Sequence, residues 1–211
     1  MRPLLVVLGL AFVLPARAET PPRREACGPP DGAALAIKLA FSDLVNIHRA
    51  RVPGPGGQRI LDERVEELLR KTVDLERFAA MTLTPMWDGL DADKRAAWAA
   101  DLLAGLRGLY LRRLTGDRSP IGQRLDVLHS HAECDEAKVD LTVGPRVGRR
   151  RTEVLLRMTW TGLAWRAWDA TVDGVSLLET WRNRFRLLYR DGGVAAVDEH
   201  LHELAERYRQ P

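Results

Sequence analysis

The hydrophobic period changes from helical to alternating near Gly122 and returns to helical near Leu178, and no other feature narrows the fold as much. Upstream of Gly122, and again after about residue 178, apolar residues recur every three or four positions; between the two they alternate. Helices followed by strands define an α+β chain rather than the alternating βαβ order that builds parallel sheets. The helical part, about 33–114, opens with Leu35, Leu39, Phe41, Leu44, Val45 and Ile47 in one helix, stopped by Pro53-Gly54-Pro55-Gly56-Gly57. A second helix is expected over 58–72, on the stripe of Leu61, Val65, Leu68 and Leu69. A third follows Asp74, an N-cap, carries Leu75, Phe78 and Met81, and is interrupted by Pro85. A fourth is capped by Asp91 and runs to about residue 114, with Trp98, Leu102, Leu106 and Tyr110 four apart on one face.

The sheet part, about 122–177, reads as an antiparallel meander of about four strands. Leu125, Val127 and His129 alternate with Asp126 and Leu128, Val139, Leu141 and Val143 alternate with Lys138, Asp140 and Thr142, and Val154, Leu156, Met158 and Trp160 share one face of a third strand. A fourth strand covers 164–173. Gly144-Pro145, Gly148 and Gly162 mark the turns between them. Two C-terminal helices over about 178–209, parted by Gly192-Gly193, end the chain. The expected architecture is helices packed against one side of a curved antiparallel sheet, with residues 19–211 as a single domain. No repeat and no long polar linker divides it.

Residues 1–18 read as a secretory leader: Arg2 precedes an apolar stretch over 4–14, and Ala16-Arg17-Ala18 offers a small-x-small cleavage site. That stretch is too short to span a bilayer, so the expectation is an exported protein cleaved after Ala18. The leader also alters the charge argument. The full chain carries a formal +3, but removing Arg2 and Arg17 leaves +1. A nearly neutral mature chain argues against a nucleic-acid partner. Cys27 and Cys134 suit an oxidising compartment, and both a single bridge and two free thiols fit the sequence.

Patterns that carry chemistry are scarce. There is no Gly-x-Ser-x-Gly elbow, phosphate-binding loop, His-Glu-x-x-His or dinucleotide fingerprint. The run His129-Ser130-His131-Ala132-Glu133-Cys134-Asp135 contains metal-ligand types, but a structural site needs about four converging ligands and the run falls at an expected strand connection. It is read as a solvated turn, with no metal and no cofactor expected. Arg146, Arg149, Arg150 and Arg151 form a basic hairpin tip that could meet phosphates or an acidic partner; a solvated hairpin is the simpler reading. An acid/base enzyme using Asp169 and a histidine stays open as the alternative.

Four of the six tryptophans, Trp160, Trp165, Trp168 and Trp181, cluster late in the chain. Trp165 and Trp168 are an odd number of positions apart on one expected strand, so they face opposite sides. The segment Trp165-Arg166-Ala167-Trp168-Asp169-Ala170, followed by Gly174-Val175-Ser176-Leu177, resembles the Trp-Lys-Val-Tyr-Asp-Val and Gly-Val-Ser-Leu signature of the MlaC, or toluene-tolerance, family. Trp181-Arg182-Asn183-Arg184-Phe185 is similar to that family's Tyr-Arg-x-x-Phe, and Gly192-Gly193 precedes the final helix. Upstream, Val73-Asp74-Leu75, Phe78, Met81, Trp87, Trp98, Leu102 and Tyr110 follow the family's helical half, so the resemblance spans about 73–204. Thr84 replaces a usual Gly, Trp98 and Leu102 replace phenylalanines, and Trp168 replaces a Tyr; apolar bulk is kept at the last three.

The resemblance implies an NTF2-like cavity and a periplasmic phospholipid carrier. It would shuttle lipid between an outer-membrane lipoprotein complex and an inner-membrane ABC transporter bearing an MCE-domain protein, maintaining outer-membrane lipid asymmetry. A branch of the family associated with hopanoid biosynthesis makes a hopanoid-related lipid the alternative cargo. On this reading the lipid-binding residues are Trp98, Leu102, Leu106, Tyr110, Leu125, Val127, Val139, Leu141, Leu156, Met158, Trp168, Val172 and Phe185, some of them ordinary core. Asp169 and Ser176 are expected to be structural, an Asp satisfied by hydrogen bonds in the sheet and a cap at the strand exit.

Overall fold

The computed structural model describes residues 27–114, 119–145 and 151–209. The expected leader lies outside them, as do Arg146, Arg149 and Arg150 of the basic tip. The helical half forms α1 (Gly32–Arg49), α2 (Pro55–Thr72), α3 (Leu75–Thr82) and α4 (Ala92–Leu114), with a 3-10 turn at Trp87–Gly89. Both expected aspartate caps are made: Asp74 accepts the Arg77 N–H at 3.1 Å and Asp91 the Lys94 N–H at 2.7 Å. The proline-glycine run does more than stop α1. Pro55 begins α2, its fixed φ suiting the first helical position behind Gly54 at φ 94°, so α2 starts three residues earlier than the apolar stripe indicates.

The strands are β1 (Gln123–Glu133), β2 (Glu136–Pro145), β3 (Thr152–Trp160), β4 (Trp165–Val172) and β5 (Val175–Ser176), joined in sequence order as one antiparallel sheet. The α+β expectation holds, with one strand more than about four. β5 arises because Asp173 and Gly174 both take positive φ, 48° and 83°. An Asp-Gly pair in that conformation makes the two-residue turn that folds a chain straight back on itself. α5 (Leu177–Arg209) is broken at Gly193 (φ 67°, ψ −157°), which gives the two C-terminal helical stretches expected.

β1 continues further than expected. Residues His129 to Glu133 pair with Asp140 to Glu136, so the connection is only Cys134-Asp135 and the two histidines sit on a strand rather than in a loop. A register shift between Val127 and His129 leaves Leu128 exposed at the sheet's edge. A second shift, between Arg157 and Met158 on β3, places Trp168 as the extra residue on β4.

Two apolar clusters form, one on each face of β4. Ala137, Val139, Leu141, Met158 and Trp165 pack under Ala33, Ala36 and Ile37 of α1. Trp168 instead joins Phe78, Trp98, Leu102, Leu178, Trp181, Phe185 and Leu201 of α3, α4 and α5. Trp165 and Trp168 therefore do point to opposite faces, and the helices divide between those faces rather than all lying on one.

Candidate functional site

The two clusters differ in how completely they are closed. In the helical cluster Trp98, Leu102 and Phe185 are fully buried, and the Trp98 indole N–H donates to Asp198 at 2.7 Å. Trp168 lies beneath two guanidiniums, Arg77 at 4.4 Å and Arg157 at 5.5 Å from the ring centroid, and Arg77 is held by Glu136 at 2.6 Å. Leu106 packs at the margin of this cluster. It is a buried core.

The sheet face under α1 is closed at one end only. At its closed end the segment leading into α1 is strapped to the sheet: Cys27 and Cys134 form a disulfide, the Gly28 N–H donates to the Cys134 carbonyl at 2.9 Å, and the Trp165 indole donates to the Pro29 carbonyl at 3.1 Å. Of the two cysteine readings the sequence left open, the structure takes the bridged one. Gly28 is required there, since a Cβ would run into the Trp165 ring. Toward the other end, Leu125 and Val127 of β1, Val143 of β2, Val154 and Leu156 of β3 and Val172 of β4 remain half-buried. Between that open end and α1 lies a cleft of about 450 Å³ lined by Lys38, Phe41, Gln123, Arg124 and Leu125. A second hollow of about 400 Å³, between α1 and α2, is lined by charged Asp43, Arg64, Glu67 and Lys71 beside Ile47 and Leu68.

The expected lining residues divide accordingly. Leu125, Val127, Val139, Leu141, Leu156, Met158 and Val172 share the sheet face under α1, Val139, Leu141 and Met158 at its buried part. Trp98, Leu102, Leu106, Trp168 and Phe185 belong to the helical cluster across β4. Tyr110 is in α4, but its side chain lies outside the described residues. Lys38 and Phe41 did not figure among the expected lining residues. Phe41 lies four positions after Ile37 on the stripe that packs α1 down, a legible signal upstream of the family resemblance, which begins at residue 73.

On the other face of β1 from Leu125 and Val127, Asp126 is bound by two arginines, Arg151 and Arg124, the latter at 2.7 Å. Their guanidiniums hold its carboxyl below the usual carboxylate range. Asp169, the sheet carboxylate of the enzyme alternative, is fully engaged. It accepts from the Ser176 hydroxyl at 3.0 and 3.1 Å and from the Leu178 N–H at 3.1 Å, while Ser176 caps α5 through the Glu179 N–H. Both are structural, as expected. His131 pairs with Glu133 on the solvent side of β1, and among the described residues no group of three His, Cys, Asp or Glu side chains could hold a metal ion.

Fold and cleft together define an α+β protein that shelters apolar surface between one helix and one face of an open sheet. Two cations, an amide and two apolar side chains line the opening. The chain belongs to the MlaC family, whose description, MlaC protein, matches residues 46–203. Among solved structures it is similar to a phospholipid-binding protein from Ralstonia solanacearum, itself in complex with a phospholipid. That similarity has a TM-score of 0.64 at 18% identity, over 84% of this chain and 99% of the other. A comparison with curated proteins returns no significant match.

Proposed function

We propose that this protein is a periplasmic phospholipid carrier that takes acyl chain into the cleft between α1 and the sheet. The observation that carries this reading is the graded burial of one sheet face. Leu125, Val127, Val143, Val154, Leu156 and Val172 are left half-exposed beside a cleft of about 450 Å³, within the size range of ligand sites. Family membership and the fold shared with a phospholipid-binding protein support it. The carriage itself has a simple physical basis. At about 0.8 kcal/mol per methylene, two chains of about fifteen methylenes cost on the order of 24 kcal/mol to expose to water. A carrier therefore has to bury the chains nearly as well as a bilayer does, so that loading and unloading stay balanced.

The cleft's volume sets a further condition. At about 450 Å³ and open on one side, it does not enclose two acyl chains of about fifteen methylenes each. A second chain lies along the open sheet face or requires α1 to move outward, and α1 is covalently tied at its N-terminal end only. On this reading the leader is cleaved after Ala18, and the carrier exchanges lipid with an inner-membrane ABC transporter bearing an MCE-domain protein and with an outer-membrane lipoprotein complex. The enzyme alternative loses its best candidate, because Asp169 is committed to the start of α5.

Native mass spectrometry of the purified protein, with solvent extraction, tests the reading. Co-purified phospholipid is the expected result; a hopanoid would reassign the cargo, and a protein empty even after incubation with phospholipid vesicles would overturn it. Leu125→Glu, at a half-exposed position, should leave the fold intact and reduce lipid retention at least tenfold, because a carboxylate cannot be desolvated against acyl chain.

A further inference from the structure

We infer that the outer side of α1, where Leu35 and Leu39 stand, is the surface by which the protein touches a lipid bilayer. The inference rests on the lipid-carrier reading and adds where the carrier meets the membrane that supplies its cargo. α1 packs on the sheet cluster through Ala33, Ala36 and Ile37, which share one side of the helix. Leu35 and Leu39 lie four positions apart on the side turned away, and each is 56% exposed. Lys38 flanks them toward the cleft, which it lines, and Asp43 flanks them toward the hollow between α1 and α2. The course of α2 explains why the pair is bare. The row that begins with Leu35 and Leu39 continues as Asp43 and Ile47, which share that hollow with Leu68 and Lys71 of α2. α2 ends at Thr72, and the first two members of the row are left open.

Three observations select a bilayer as the occupant. The mature chain ahead of Cys27, Glu19 to Ala26, has no large apolar side chain to lay over the pair. Two half-exposed leucines fall far short of the roughly 800 Å² a side that a stable protein interface buries, so a second copy of the chain would be held weakly there. Lys38, three positions after Leu35, is exposed and forms no ion pair with any described residue. Its ammonium reaches the lipid phosphates while the two leucines enter the acyl boundary, the arrangement of a helix lying at a membrane interface. Such a contact is weak and reversible, since even one long acyl chain holds a protein at a membrane only marginally. A carrier that leaves again requires that weakness. Because Lys38 also lines the cleft, lipid passes between bilayer and cleft along the edge of α1 instead of crossing open water.

Sedimentation of the mature chain with vesicles of phosphatidylglycerol or of phosphatidylcholine tests this. The wild type should bind both, the anionic vesicles more tightly, and the difference should shrink in high salt as the charge attraction is screened. Leu35→Gln/Leu39→Gln places good helix formers at two exposed positions, so its melting temperature should match that of the wild type. Its affinity for phosphatidylglycerol vesicles should fall by about tenfold, the effect of two leucines that each bury about half a side chain. Phospholipid exchange between labelled and unlabelled vesicles should slow with it, while native mass spectrometry finds the same lipid retained once loaded. A folded double variant that binds vesicles as the wild type does overturns the inference and leaves the carrier reading intact. So does a wild type that carries phospholipid but sediments with neither vesicle, which would assign the face to a protein partner. A wild type that is dimeric, and monomeric after the double substitution, makes the face a contact between copies and overturns the inference as well. A wild type that never holds phospholipid overturns the carrier reading and this inference with it.

Discussion

Asp198 shows how one side chain can be set by two partners from another helix. It accepts the Trp98 indole N–H at 2.7 Å and faces the Lys94 ammonium at 2.6 Å, and these two groups, Lys94 first, hold its carboxyl below the usual aspartate range. A depressed carboxylate contributes stability that is complete above its unfolded value of about 3.9 and is lost as pH falls through the lower folded value. Urea midpoints measured between about pH 6 and pH 3 should therefore fall more steeply for the wild type than for Asp198→Asn. The difference should stay below about 1 kcal/mol because the pair is half-exposed, and parallel curves would contradict the assignment. At this scale much was legible. The caps at Asp74 and Asp91 and the Asp169–Ser176 pair at the head of α5 are local interactions that short spacing specifies. The Trp98–Asp198 bond joins residues a hundred positions apart, and nothing in either neighbourhood announces it.

Among the elements, α1 is the one that makes a cleft out of a sheet face. Its apolar stripe was visible as a helix, but its placement depends on the strap formed by Cys27, Cys134, Gly28 and the Trp165–Pro29 hydrogen bond. Cys27→Ser should cost about 2–4 kcal/mol in thermal or urea unfolding, as expected when a long loop loses its crosslink. Lipid retention should fall with it, because the end of α1 that closes the sheet is released. Full retention in a destabilised Cys27→Ser protein would mean that the strap serves stability alone. The strands were legible from alternation except where alternation fails. The shifts at Val127/His129 and Arg157/Met158 displace the pleat by one residue. β5 is too short to show a period, though its Asp173-Gly174 turn is a recognisable signal.

The whole molecule combines a closed helical core with a half-closed sheet face, and that asymmetry predicts a measurable linkage. If lipid occupies the open end, solvent-stripped protein should melt lower than lipid-loaded protein. The shift should grow with added phospholipid, because ligand that binds only the folded state stabilises it by mass action. Identical melting curves would place any co-purified lipid outside the cleft. The change of hydrophobic period near Gly122, the caps and the late tryptophan-rich signature determined the class of fold, the order of its elements and the family, since each depends on neighbours within a few residues. Which apolar side chains form core and which line a cleft was decided by tertiary structure alone. Trp98, Leu102 and Phe185 are buried in the helical cluster, whereas Phe41 and Lys38 stand at the opening of the cleft. Periodicity reports only that a face avoids water. What covers that face, protein or lipid, depends on where distant elements are tied, and here on a disulfide joining residues 107 positions apart.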